Sequence, residues 1–509
     1  MTRTLPTLVL SLLVLPTAPA AGAAAEANAA SEPISHEAEK AVVKVFSTIR
    51  RPDMARPWTK QPPVEASGSG VVIEGNRILT NAHVVAYSSQ VQVQGNQSGD
   101  KVSATVVAYA PGIDLALLKL DDDSFFKSRP PLPRAKSLPL IKDAVLAYGF
   151  PTGGTSLSIT RGIVSRIEFV NYGYLSTGLR IQIDAALNPG NSGGPAIAAG
   201  KMIGLAFSHL QGSENISYII PNEEIDLFLK DMADGHYDGK PALYDALQTL
   251  ENPALRGYLK LDPAVKGMIV NHPDEGVKNN PLKQWDVITR IGDTDIDDDG
   301  MVKVSDDLRV SFAYLVQKIA RDGTVPLTLV RAARKLTVQM PVPQHRPLLI
   351  DGLKGDYPSY FIYGPVVFER ATIESLSLLR PHLGLSPLVA RLGEPPGEDR
   401  QELVIISSPL FPHALSKGYS NPSGGIVSTV NGVVVQSLAQ LVAFLRDLKD
   451  EYVVLDFDTR GGEGLVFPRA QMVAATEEIL TDNGVRAQGS PDMLKVWQQG
   501  EQGAAGGSR

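Results

Sequence analysis

Three short segments of this chain carry side chains that could do covalent chemistry. Thr80-Asn81-Ala82-His83-Val84-Val85 sets a histidine just after a strand pattern, Asp114-Leu115-Ala116-Leu117-Leu118 opens another strand on an acid, and Asn188-Pro189-Gly190-Asn191-Ser192-Gly193-Gly194-Pro195 places a serine in a glycine-rich turn. A serine hydroxyl is a poor nucleophile at neutral pH. It needs an imidazole to take its proton and a carboxylate to hold that imidazole in the right tautomer. Glycines around Ser192 let the turn Gly190, Asn191, Ser192 form an oxyanion hole, with the N–H groups of Gly190 and Ser192 aimed at one point where charge would develop. Singly, each segment reads as ordinary: a packed histidine, a turn aspartate, a glycine loop. Together, in the order His83, Asp114, Ser192, they describe acyl transfer.

The elements that must hold these residues are short β-rich runs between about 37 and 235, among them Gly70-Val71-Val72-Ile73, Val91-Gln92-Val93, Ala144-Val145-Leu146-Ala147-Tyr148, Ile181-Gln182-Ile183 and Ile203-Gly204-Leu205-Ala206-Phe207. Many short strands separated by Gly, Asn and Pro predict an all-β barrel or sandwich. A helical stretch from Glu223 to Met232 closes the unit, and Asp234 to Pro241 reads as a linker. Beyond it one pattern occurs twice: strand, strand with a tight glycine turn, helix, strand. The first copy runs over Lys266–Val270, Trp285–Gly292, Phe312–Ile319 and Val325–Arg331, the second over Leu403–Ile406, Gly425–Gly432, Leu438–Leu448 and Tyr452–Phe457. This predicts a duplicated α+β module, over 241–345 and 350–483, followed by a disordered tail over 484–509.

Composition narrows the chemistry. The 509 residues include no Cys, so disulfides, thiolate metal sites and a cysteine nucleophile are excluded. With 48 Lys+Arg against 55 Asp+Glu the chain offers no electrostatic footprint for nucleic acid. Residues 1–23 have the form of a cleaved export signal: Arg3, an apolar Leu8–Leu15, and small residues Ala18-Pro19-Ala20 before cleavage near Ala20 to Ala23. The apolar core is shorter than the ~20 residues a membrane span needs, and no later segment supplies one. An exported chain without Cys suits a bacterial periplasm.

The segments Gly68-Ser69-Gly70-Val71-Val72-Ile73, Thr80–Val85, Asp114–Leu118 and Gly190–Pro195 resemble, in order, the blocks of the HtrA/Deg family of chymotrypsin-fold serine proteases, with a pattern nearest the plant-type subgroup with divergent PDZ domains. The resemblance covers about residues 40–480. It implies a trypsin-like double barrel followed by two PDZ-like domains, with His83 as general base, Asp114 as its orienter and Ser192 as nucleophile. It implies no cofactor and no metal. By family position Leu187, Ala206, Phe207, Ser208 and His209 line the substrate pocket, and the lack of an acid there points to small or medium apolar residues before the scissile bond. His209 is read either as packing or as a polar tuning of that pocket. Loops at Glu168–Leu179, Leu187–Asn191 and His209–Ser217 would order on activation. The arginine that bacterial relatives carry in the first is absent, although Arg166 and Arg180 flank it.

In the first PDZ-like module the resemblance assigns Tyr258, Leu259, Lys260 and Leu261 to the loop that captures a peptide carboxylate; in the second, Tyr363-Gly364-Pro365-Val366-Val367-Phe368 stands there, and Pro365 removes a donor. The run Asp295-Ile296-Asp297-Asp298-Asp299-Gly300 with Asp306 imitates a calcium loop but lacks flanking helices, so it reads as an acidic solvated loop. The expectation is an ATP-independent endopeptidase acting on unfolded or misfolded proteins and binding C-terminal peptides, as a trimer-based homo-oligomer. The alternative is a protease-fold chaperone or peptide-binding scaffold with little proteolytic activity.

Overall fold

A computed structural model describes residues 32–173, 176–209, 217–379, 387–458 and 463–505; the expected export signal over 1–23 lies outside them. Helix α1 (Glu32–Ala41) leads into β1 (Val42–Ile49), β2 (Val64–Ile73), β3 (Arg77–Thr80), the one-turn α2 (Ala82–Val85), β4 (Ser88–Gly95), β5 (Lys101–Ala110) and β6 (Leu115–Leu120). These strands close into a barrel in the order β1-β2-β3-β6-β5-β4. A second barrel, ordered β10-β11-β12-β9-β8-β7, is built from β7 (Ala144–Gly149), β8 (Ser158–Gly173), β9 (Ser176–Ile183), β10 (Pro195–Ala198), β11 (Lys201–His209) and β12 (Ser217–Pro221), and α3 (Asn222–Asp231) follows it. Closure leaves no free sheet edge, which short strands of this kind otherwise expose.

β2 shows why its sequence departs from simple alternation. Its last six residues, Gly68 to Ile73, are all buried, because one face packs into its barrel and the other meets the serine turn of the second barrel. A side chain at Gly68 would collide with Val84, and one at Gly70 with Ile78. The interior of the first barrel is Val43, Val45, Val71, Ile78, Val93 and Leu117, each at most 2% exposed; each such aliphatic side chain contributes about 1.5–3 kcal/mol on burial.

The first α+β module comprises β13 (Ala246–Thr249), α4 (Pro253–Tyr258), β14 (Met268–His272), β15 (Val287–Ile291), β16 (Thr294–Asp295), β17 (Met301–Ser305), β18 (Leu308–Ser311), α5 (Ala313–Ile319), β19 (Thr324–Arg331) and β20 (Arg334–Pro341). Its sheet runs β13-β14-β15-β19-β20, and β17 and β18 form a separate hairpin. The second module has a three-stranded sheet, β21 (Tyr360–Tyr363), β22 (Val366–Arg370) and β23 (Val404–Ile406), beside a four-stranded one ordered β25-β24-β26-β27, from β24 (Val427–Val430), β25 (Val433–Val434), β26 (Tyr452–Phe457) and β27 (Leu465–Pro468). Helices α6 (Leu438–Asp447), α7 (Arg469–Asp482) and α8 (Pro491–Ala505) complete it.

Helix α8 corrects the expected disordered tail. Met493, Val496 and Trp497 recur at helical spacing and pack on the module's core; Trp497 lies 5.0 Å from the Phe361 ring, and Arg446 caps the Val496 carbonyl at 2.6 Å. Glycine and glutamine content masked that stripe. The segment Glu168–Leu179 is likewise no open loop: it forms the paired ends of β8 and β9 around residues 174–175, which lie outside the described region. Tyr363 to Phe368 is a buried hairpin under α7, with the Gly364 N–H donating to Thr476 Oγ1 at 2.9 Å, so it offers no open carboxylate nest. The acidic run 295–300 is tied by Arg309, whose guanidinium donates to Asp297 at 2.8 Å and to Asp299 at 2.9 Å.

The first module and the second barrel share one apolar core, in which Val164, Ile181 and Ile219 join Val270, Ile288 and Val316. Polar contacts pin the same junction. Glu224 of α3 accepts from the Leu179 N–H at 2.7 Å and from Lys240 Nζ at 2.6 Å, while Lys240 and Gln317 both donate to the Thr177 carbonyl. The Lys240 and Glu224 side chains are 5% and 2% exposed, so neither charge has water to fall back on. Lys240→Met is expected to destabilise the chain by about 3–5 kcal/mol, because it leaves Glu224 buried and unpaired. The double variant Lys240→Met/Glu224→Gln, which removes both charges and keeps an acceptor for the Leu179 N–H, is expected to recover most of that loss, measured by thermal and urea unfolding.

Candidate active site

The site forms between the two barrels. Asp114 follows a tight turn in which the Ile113 and Asp114 N–H groups donate to Ala110 and Pro111, and its own φ of 56° lies in the left-handed region that Asp tolerates better than most residues. That turn points the carboxylate back at α2. One oxygen accepts from the His83 backbone N–H at 2.8 Å, and the other lies 2.7 Å from His83 Nδ1. Asn81 Nδ2 donates to the Asp114 carbonyl at 2.9 Å, fixing the aspartate's backbone from the other side. With Nδ1 held as the N–H, Nε2 is the basic nitrogen. Burial lowers the His83 pKa, but the hydrogen bond and charge of Asp114 outweigh it, and the net shift is upward.

Ser192 sits in a turn whose backbone is fixed at each peptide. The Pro189 carbonyl accepts from the Thr152 N–H at 2.7 Å, and the Asn191 carbonyl accepts from Gly194 at 2.9 Å. In a trans peptide the N–H points opposite to its carbonyl, so the N–H groups of Gly190 and Ser192 face away from these partners. Gly190 (φ 100°) and Gly193 (φ 88°) occupy conformations that only glycine adopts freely, and a side chain on Gly193 would overlap the Ser69 carbonyl. Asn191 is a correction. Its N–H donates to the Asn188 carbonyl at 3.0 Å inside the turn, and its side chain is buried against Gly149, so it is not an oxyanion donor.

Sequence reasoning assigned no role to Ser69, yet it ties the turn down. Its hydroxyl donates to the Gly190 carbonyl at 2.7 Å and accepts from Phe150 N at 2.8 Å. The signal was present in Gly68-Ser69-Gly70, a serine between two glycines just before the apolar run Val71-Val72-Ile73. The Ser192 hydroxyl donates to the Phe207 carbonyl at 3.3 Å instead of reaching His83. A rotation about χ1 must precede proton transfer.

Of the expected pocket residues, Leu187 and Ala206 are buried beside the turn; the Gly193 N–H donates to the Ala206 carbonyl at 2.8 Å, and the Leu187 N–H to Ser217 Oγ at 3.3 Å. Phe207 is half-buried. Ser208 and His209 end β11, and their side chains lie outside the described residues, as does most of the loop that follows. Tyr258, Leu259, Lys260 and Leu261 lie in the first α+β module, at the end of α4. The N–H groups of Leu259, Lys260 and Leu261 already donate to Leu255, Gly257 and Arg256, so the helix end leaves none for a peptide carboxylate. That assignment is corrected.

Residues 68–205 match the trypsin-like peptidase domain, and residues 353–492 match the PDZ domain. Protease Do-like 2, chloroplastic, of Arabidopsis thaliana is 35% identical over 465 residues, covering 90% of this chain and 76% of the relative. The chain belongs to the Deg/HtrA family of serine proteases. Protease Do-like 4, mitochondrial, of the same plant is also 35% identical, over 427 residues that cover 83% of this Deg/HtrA chain and 79% of the relative. Among solved structures, that of the HtrA-type protease AlgW with decapeptide aligns over 62% of this chain and 98% of its own at 25% identity, with a TM-score of 0.46. The two domain matches, the relatives and the two closed barrels make this Deg/HtrA protease a multidomain serine endopeptidase with all-β barrels and a C-terminal PDZ domain.

The upward shift on His83 gives a direct expectation. Its ring should titrate above 6.5 in the folded chain, and Asp114→Asn should move that midpoint down. Proton NMR of the His83 ring across pH 5–9 measures both.

Proposed function

We propose that this Deg/HtrA protease degrades unfolded or damaged proteins without ATP, through an acyl-enzyme formed on Ser192. The observation that carries this reading is the two-point grip of Asp114 on His83 facing a turn whose Pro189 and Asn191 carbonyls are tied away from the nucleophile. On substrate binding the Ser192 hydroxyl turns from Phe207 to His83 Nε2. As Oγ attacks the scissile carbonyl, the proton passes to Nε2 and the new imidazolium is stabilised by Asp114. The oxyanion is met by the N–H groups of Gly190 and Ser192, a term worth about 10²–10³ in rate per donor. His83 then protonates the leaving amine, and water, activated by the same imidazole, releases the acyl group.

Leu187 and Ala206 give the pocket an apolar wall, which supports a small or medium apolar residue before the scissile bond. The match of residues 353–492 to the PDZ domain supports peptide recruitment, through a surface other than the closed loops at Tyr258–Leu261 and Tyr363–Phe368, and the family supports a trimer-based homo-oligomer. The leader over 1–23 supports export; relatives named chloroplastic and mitochondrial favour a membrane-crossing route in general and do not single out a periplasm.

The hydroxyl resting on Phe207 favours one further role, a resting protease that holds unfolded chains as a chaperone until its serine is released. A fluorophosphonate probe separates the two. The wild type is expected to be labelled at Ser192, faster in the presence of unfolded casein, and Ser192→Ala is expected to abolish both labelling and casein cleavage while binding casein unchanged. Binding without labelling under every condition would leave only the chaperone role.

A further inference from the structure

We propose that Arg180 is a positioning residue for Ser192, acting through the ring and carbonyl of Phe207. The inference rests on the reading of Ser192 as nucleophile. The pairing of β11 with β12 is broken beside Ser192. β11 and β12 pair at Ala206 with Ile219 and at Ser208 with Tyr218, so Phe207 is the extra residue of a β-bulge. A bulged residue is released from the ladder and can aim its groups elsewhere. Here its carbonyl turns to the Ser192 hydroxyl, 3.3 Å away.

A bulge is free to drift unless its side chain is held, and the Phe207 side chain is held from two sides. The Arg180 guanidinium lies 4.5 Å from the Phe207 ring centre, and it lies over the Tyr172 and Tyr218 rings at 4.2 and 5.6 Å. The Tyr172 ring is itself 5.5 Å from Phe207. The cation is held within this cage: its Nε is buried without a hydrogen-bond partner among the described residues, its charge and a side-chain hydrogen bond act on the Tyr172 hydroxyl, and Glu168, its cross-strand neighbour, pairs with Arg166 at 3.2 Å. A planar, weakly hydrated guanidinium can stack in this way where an apolar chain of similar length cannot. The cage is anchored beyond the site, because the Tyr172 hydroxyl donates to the Leu179 carbonyl and the Leu179 N–H donates to buried Glu224.

The consequence is geometric. The Phe207 carbonyl is the acceptor that sets where the serine hydroxyl rests, and it lies on the strand beside the pocket. If Arg180 fixes that carbonyl, it fixes both the starting rotamer of Ser192 and the register of a substrate lying along β11. Loss of the cage should slow acylation without altering His83, since misplacement of a reacting group by ~1 Å costs up to ~100-fold.

The test compares Arg180→Met, which keeps the stem and loses the cation, with Arg180→Lys, which keeps the cation, in wild-type and Phe207→Leu backgrounds. Second-order labelling of Ser192 by a fluorophosphonate is the rate measured, with the His83 titration by NMR alongside. Arg180→Met is expected to label about tenfold more slowly with the His83 midpoint unchanged, and Arg180→Lys to stay within about threefold of wild type. In the Phe207→Leu background, Arg180→Met should cause no further loss, because the pathway is already cut. Wild-type labelling by a folded Arg180→Met chain, or losses that multiply in the double variant, would overturn the role of Arg180 while leaving Ser192 as nucleophile. Absence of labelling in the wild type would remove the reading of Ser192, and this inference with it.

Discussion

The structure depends on one hydrogen-bonded seam, the contact of Ser69 with the serine turn. Ser69 is fully buried, and each of its polar groups is engaged. Its N–H donates to the Ser192 carbonyl at 2.8 Å, its own carbonyl accepts from Thr80 Oγ1 at 2.7 Å, and its hydroxyl bridges Gly190 and Phe150. Satisfied buried networks of this kind are stiff because each unmade bond would leave a desolvated group. Two barrels are thus locked at the point where one supplies His83 and Asp114 and the other supplies Ser192. The glycines follow from the same approach: Gly193 and Gly194 lack side chains because the carbonyls of Ser69 and Tyr148 occupy the space.

Outward from the seam, the constraints are apolar cores and aromatic contacts with fewer buried hydrogen bonds. The first α+β module is fused to the second barrel by a shared core and by the buried Lys240–Glu224 pair, so it behaves as an extension of the protease. The second module reaches back to the first barrel through Trp58, which lies 5.5 Å from Phe411 and 6.3 Å from Tyr360, and through Tyr357, whose hydroxyl donates to the Arg50 carbonyl at 2.9 Å. In these contacts Phe411 and Tyr360 are buried, Trp58 is half-buried and Tyr357 is exposed.

Much of this was legible in the sequence because the decisive features are local. His83, Asp114 and Ser192 each stand at the end of a strand next to turn-forming residues, and the glycines around Ser192 announce a backbone that must approach another closely. The duplicated strand–helix pattern was legible for the same reason. What escaped was set by partners far along the chain. Ser69 meets Gly190 across 121 positions, and nothing in its own neighbourhood says which group it will bind. The inward stripe of α8 was hidden by the glutamine- and glycine-rich composition of the segment. The expected carboxylate loop failed because the N–H groups of Leu259, Lys260 and Leu261 finish a helix, a use that loop composition does not reveal.

If the seam sets the catalytic geometry, weakening it should slow acylation before it unfolds the chain. The direct measurement is the pre-steady-state burst on a p-nitrophenyl ester for wild type and Ser69→Ala. The account predicts a burst of one product per Ser192 in both, with the burst rate of Ser69→Ala at least about tenfold slower, since the Gly190 carbonyl loses the donor that orients its turn. An unchanged burst rate in a folded Ser69→Ala chain would contradict it.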